Sequence, residues 1–190
     1  DYLAAGQYAE SIGLLRLAST VCTKVSPMVW YYIGYASQLA GDTAGAAEAF
    51  ARGAGHDPEY CFPNRIEALL ALRAAVTANP EDAKALYYLG NYWYDKRQHR
   101  DAIACWERSV EIDSNFPTAK RNLALGYFNK LDRKDDAVKL LEEAFALDTT
   151  DTRILMELDQ LYKRIQRPHD FRKAFLDRFR SQVDQRDDLY

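Results

Sequence analysis

Residues 86–106, LYYLGNYWYDKRQHRDAIACW, constrain the fold of this chain more than any other stretch, because they spell out two helices that have to pack on one another. Leu86, Leu89 and Trp93 recur at intervals of three and four residues, which sets them on one helical face. Gly90 leaves a gap in that face. Nine residues past Trp93, Ala102 opens a second run that carries Trp106 four residues later. A small side chain is therefore expected to meet the gap and a large one to close its edge, giving a packed antiparallel pair.

The pattern returns at a nearly constant interval. Leu123-Ala124-x-x-Tyr127 follows Leu89-Gly90-x-x-Trp93 by 34 residues, and Ala137-x-x-x-Leu141-x-x-Ala144 completes that unit after a turn one residue longer. Leu158-x-x-x-Tyr162 comes 35 residues after Leu123. Upstream, Trp30-x-x-Ile33-Gly34 leads to Gly41, then to Ala46-x-x-x-Phe50, and ends at Pro58. Such an array has no single core, since each unit packs only on its neighbours. The expected units are 1–26 (partial), 27–59, 60–81 (truncated), 82–115, 116–150 and 151–182, with 183–190 opening one more. Helices are expected at 8–21, 27–39, 44–54, 64–78, 82–96, 99–112, 117–130, 134–147, 151–165 and 168–182. Gly34 and Gly90 stand 56 residues apart, one period plus 22, so the unit between them has lost most of its first helix. Tyr60, Cys61 and Phe62 are expected to plug the vacated place.

These residue classes at this period resemble the tetratricopeptide repeat family, whose pattern runs Trp/Leu, Leu-Gly, Tyr, Ala, Phe, Ala, Pro. The likeness covers residues 28–178. It implies an all-α fold, a right-handed α-solenoid of helix–turn–helix repeats.

Charge and cysteine usage narrow the function. Lys and Arg number 25 against 28 Asp and Glu, a net charge of −3 with no basic excess to recruit nucleic acid. No run approaches the length of a membrane span. Cys22, Cys61 and Cys105 lack CxxC spacing, so neither a disulfide framework nor a zinc site is expected, and a reducing, cytoplasmic setting suits them. His56, His99 and His169 fall in or beside turns of different units and read as solvated residues. No phosphate loop, metalloprotease or nucleophile-elbow motif is present, so no enzyme, cofactor or metal is expected.

In tetratricopeptide arrays the first helices line a concave groove. The resemblance assigns to that surface Tyr31, Tyr32, Tyr35 and Gln38, then Tyr87, Tyr88, Asn91, Tyr94 and Asp95. The next two units add Arg121, Asn122, Phe128 and Asn129, then Arg153, Glu157, Gln160 and Lys163. Tyrosine offers a broad amphipathic contact at low entropic cost, and asparagine can both donate to and accept from a peptide backbone. Equally, any of these tyrosines can be a packing residue between neighbouring helices. Asn91 and Asn122 match the asparagines of carboxylate-clamp members, with Arg153 in place of a clamp lysine. Tyr87 and Glu157 stand where that clamp has a lysine and an arginine, and Glu157 would repel a carboxylate.

A narrower likeness runs through Tyr87–Asn91, Tyr94–Arg97, Trp106–Ser109, Phe62–Arg65, Arg121–Leu123 and Leu158–Arg164. These resemble the C-terminal repeat tail of large bacterial proteins that carry a mutarotase-like β-sandwich domain of unknown function. The expected function is a non-catalytic scaffold that binds an extended peptide, or a neighbouring domain of its own chain, in the groove. The alternative is a structural or accessory tail of a bacterial carbohydrate-active enzyme whose catalytic domain lies elsewhere. Apolar faces on the terminal helices are expected to support self-association.

Overall fold

The computed structural model describes residues 2–58 and 61–184, and among these there are eleven helices and no strand. They fall into two compact units divided after Ile112. The first holds α1 (Tyr8–Val21), α2 (Pro27–Leu39), α3 (Thr43–Gly55), α4 (Ile66–Ala78), α5 (Ala83–Asp95) and α6 (His99–Ile112). The second holds α7 (Pro117–Lys130), α8 (Lys134–Leu147), α9 (Thr152–Arg164), α10 (His169–Arg178) and the single turn α11 (Arg180–Val183). All three tryptophans, Trp30, Trp93 and Trp106, belong to the first.

Local chemistry starts these helices where the sequence places them. The Ser26 hydroxyl accepts from the Met28 N–H while Pro27 fills the first helical position. Asp42 accepts from Gly45 at 2.8 Å, Asp82 from Ala85 at 2.9 Å and Asp151 from Arg153 at 2.8 Å. The turns inside the pairs share one device. Gly41 ends α2 at φ 82°, and Arg97, Asp132 and Gln166 take the same left-handed conformation after α5, α7 and α9. The following amide reaches back to the helix, Asp42 to Ser37 O, Gln98 to Trp93 O and Arg167 to Tyr162 O, each at 2.9 Å. After α7 the return bond spans one residue more, Arg133 to Tyr127 O at 3.1 Å, matching the inserted turn residue.

Inside the pairs α2–α3 and α5–α6 an aromatic ring lies against a glycine. A Cβ on Gly34 would stand 2.4 Å from the Phe50 ring, and one on Gly90 would stand 2.3 Å from Trp106 Nε1. The large residue fills the gap itself, which corrects the expected arrangement of Ala102 in the gap and Trp106 at its edge. Ala102 is fully buried elsewhere in the joint. The indole N–H is shared between Tyr87 O and Asn91 Oδ1, both at 3.2 Å, and the Ser109 hydroxyl donates to Ala83 O at 2.7 Å.

The interval 60–81 contains one helix, α4, packed on both α2 and α5 through Ala68, Leu69, Ala71, Leu72 and Ala75. Cys61 is buried beside Ser26, as a plug would be. Phe62 is 72% exposed and plugs nothing, while Tyr60 lies outside the described residues. The helix expected over 168–182 breaks at Phe179, whose ring turns in against Phe145 at 4.7 Å and Phe175 at 5.5 Å. Residues 185–190, expected to open a further unit, lie outside the described residues.

Candidate functional site: the faces of the first helices

In the first unit most of the expected groove tyrosines turn out to be core. Tyr31 has no exposed surface, its hydroxyl donates to Asp82 Oδ2 at 3.1 Å, and its ring meets Tyr88 at 5.9 Å. Burial, with the Asp82 charge adding to it, pushes the Tyr31 phenol far above its ordinary range, so it stays a proton donor. Burial likewise pushes the Asp82 carboxyl upward, against the Ala85 N–H and the Tyr31 hydroxyl that favour its charge. Tyr87 and Tyr88 are buried side by side, rings 5.4 Å apart. The physical reason is α4: it packs on α2 and α5 and closes around their aromatic residues.

Asn91 and Tyr94 are half-buried and belong to the α5–α6 joint. Asn91 accepts from Trp106, and the Tyr94 ring sits 4.8 Å from His99 and 5.3 Å from Trp106. Tyr35 is half-buried, and Asp95 is exposed and paired with Lys96 at 2.8 Å. His56 and His99 are not the solvated turn residues expected, since His56 stacks on Trp30 at 6.0 Å and His99 on Tyr94. The Arg52 guanidinium lies 4.8 Å from the same Trp30 ring. His169 is exposed, as expected of a turn residue.

The second unit brings its candidates onto a face shared by α7 and α9. Arg121 donates Nε to Glu157 Oε2 at 2.7 Å, Nη2 to Glu157 Oε1 and Nη1 to Asn122 Oδ1 at 3.1 Å. This forked pair is half-buried and joins successive first helices. Asn129 is exposed one turn further along α7. Arg153 is exposed at the start of α9, its guanidinium turned to Asp151 at 2.9 Å. Arg164 lies 5.6 Å over Phe128. A carboxylate-clamp reading fits poorly here, because an incoming carboxylate would have to displace Glu157 from Arg121. What the face presents is charge-neutral and rich in amide and guanidinium groups.

Reactive chemistry finds little purchase. Burial pushes the Cys105 thiol up to about 11 and the Cys61 thiol upward, so neither is poised as a thiolate. No group of three metal-ligating side chains occurs among the described residues, and no helix there is long and apolar enough to cross a membrane. Sequence reasoning passed over two features. One is the Trp30 sandwich, which no spacing rule signals. The other is an open cleft at α9 and α10, which the run of basic residues after Gln160 could have pointed to.

Residues 83–116 match the tetratricopeptide repeat family model. Among solved structures, a crystal structure of MamA shares 14% identity at a TM-score of 0.55, covering 97% of this chain and 93% of that one. MamA 41-end from Desulfovibrio magneticus RS-1 shares 16% at 0.55, covering 98% and 91%. The APC/C hetero-tetramer Cut9-Hcn1 contains a chain similar at 17% identity and a TM-score of 0.53, with 98% of this chain and 39% of that one covered. At such identities the likeness is one of fold, and the fold is the tetratricopeptide kind of helix pair.

Proposed function

We propose, with a tetratricopeptide unit at residues 83–116 and helix pairs of the same kind around it as the premise, that this chain is a non-catalytic protein-binding scaffold. The observation that carries the reading is the α7–α9 face. Arg121 and Glu157 neutralise one another there, while Asn122, Asn129 and Arg153 hold out groups that pair with peptide amides and carbonyls. The ligand that suits it is an extended peptide segment, or a neighbouring domain of the same protein, read through its backbone. The three free thiols suit a reducing, cytoplasmic setting.

The test is selection of a displayed peptide library on the intact chain, repeated with an Asn129→Ala/Arg153→Ala variant. Both positions are exposed, so the fold should survive. A consensus recovered with the native chain and lost with the variant supports the reading; no enrichment over an unrelated helical protein refutes it.

A second reading draws on the burial of Tyr31, Tyr87 and Tyr88, which removes most of the aromatic surface expected of a groove in the first unit. On that reading the chain is a structural or accessory tail beside a bacterial carbohydrate-active domain, such as the mutarotase-like sandwich. Failure of the peptide selection, together with binding to such a domain in isolation, would favour it.

A further inference from the structure

Between residues 160 and 182 the sequence carries seven Lys and Arg against two Asp, inside a chain of net charge −3. Part of that bias gathers around one open cleft of about 650 Å³ lined by α9, α10 and α11. Val183 is buried, and with the half-buried Met156 and Leu176 it makes the apolar part of the lining. Lys163, Lys173 and Arg180 are exposed around them. Two of the cations in the cleft are already engaged: Arg172 grips the buried Asp159 at 2.6 and 2.8 Å, and Arg180 donates to Asp184 at 3.0 Å. Lys163 and Lys173 have no ion-pair partner among the described residues.

The position of this cleft within the repeat says what kind of object fits it. Helices α7 and α9 are offset by 35 residues, as are α8 and α10. On the earlier pair a helix covers the corresponding surface: α9 packs on α8, and the Tyr162 hydroxyl donates to Glu142 at 2.7 Å. At that pair the residues are Leu125, Phe128, Val138 and Phe145; their counterparts are Gln160, Lys163, Lys173 and Arg180. A helix-sized seat has kept an apolar floor and gained a cationic edge. A cap that served only solubility would need no single sign of charge.

We propose that this cleft docks an acidic amphipathic helix of a partner protein, its apolar side on Met156, Leu176 and Val183 and its carboxylates on Lys163 and Lys173. Polyphosphate is disfavoured, because Asp159 and Asp177 share the lining with an apolar floor instead of a continuous basic stripe. The surface is separate from the α7–α9 face and does not depend on the reading of that face.

The experiment measures anisotropy of a labelled helical peptide with Leu at i, i+3, i+4 and i+7 and Glu elsewhere, titrated with the intact chain. A Lys-for-Glu version and a single-stranded oligonucleotide serve as rivals. The Glu peptide should bind about tenfold or more tighter than the Lys peptide, and the preference should weaken with salt. Lys163→Glu/Lys173→Glu should abolish it, Lys163→Arg/Lys173→Arg should keep it, and Asn129→Ala/Arg153→Ala should leave it unchanged. The proposal is overturned by equal binding of the two peptides, by a preference that survives charge reversal in a variant with native circular dichroism, or by tighter binding of the oligonucleotide. It is also overturned if sedimentation shows self-association that charge reversal dissolves while the peptide fails to bind, since the seat then belongs to a second copy.

Discussion

Replacing Gly90 with alanine separates two effects that usually travel together. In an exposed helix interior a glycine-to-alanine change stabilises by about 0.5–1 kcal/mol through backbone entropy. Gly13 in α1 is such a site, since an added Cβ there meets nothing within 4 Å. At Gly90 the same methyl would fall 2.3 Å from Trp106 Nε1 and 2.4 Å from its Cδ1, so the ring has to move. Trp106 is 3% exposed and bonded at 3.2 Å to both Tyr87 O and Asn91 Oδ1, which leaves it little room to yield. Overpacking of this kind costs about 1–3 kcal/mol, and a lost indole hydrogen bond adds about 1 kcal/mol. Set against a propensity gain of about 1 kcal/mol, the net is a destabilisation of about 1–3 kcal/mol. Urea titrations followed by far-ultraviolet circular dichroism, with slopes compared between variants, read the difference directly. Gly13→Ala should move the midpoint up and Gly90→Ala should move it down. A Gly90→Ala chain as stable as the parent, with Trp106 in place, would refute the account of the joint.

Gln166→Gly should stabilise by about 1 kcal/mol, because Gln166 holds φ 61° where only glycine is unstrained; an unchanged or lower thermal midpoint counts against this. Since burial raises the folded-state pKa of Asp82, its contribution is fully present below the ordinary carboxylate range near about 3.9 and is lost as pH rises through the raised value. The parent should therefore gain stability relative to Asp82→Asn as pH falls from neutral toward that range, and a pH-independent difference would remove the argument. Removing Arg121 alone, or Glu157 alone, should cost about 1–3 kcal/mol, while the paired change to Met and Leu should cost less than the sum; additivity in the cycle would show that the fork is not coupled.

The sequence was most legible where one residue type has one use. Aspartates and prolines at helix starts and the glycine at 41 put boundaries within a residue or two of those observed, because capping and left-handed turns are local chemistry. Arg97, Asp132 and Gln166 in the same turn carry no such mark, so the shared geometry shows only in the backbone. The tyrosines were ambiguous for a different reason. Tyr31 and Tyr35 sit one turn apart on α2, and what buries the first lies 35 to 57 residues away in α4 and α5, a distance no helical periodicity encodes. Glu157 was legible as an obstacle to a carboxylate, whereas its role as the partner of Arg121 required the register of α9 against α7.

The placement of the tryptophans gives the molecule an internal division of optical labour. With Trp30, Trp93 and Trp106 all before residue 112, emission excited selectively through indole reports the first unit alone. The ring cluster of Phe145, Tyr162, Phe171, Phe175 and Phe179 gives the second unit a tyrosine and phenylalanine signature instead. A ligand seated in the α9–α10 cleft would thus be nearly silent in direct indole emission. Any change it caused there would have to arrive through the chain, making the unmodified protein its own reporter of whether the two units communicate.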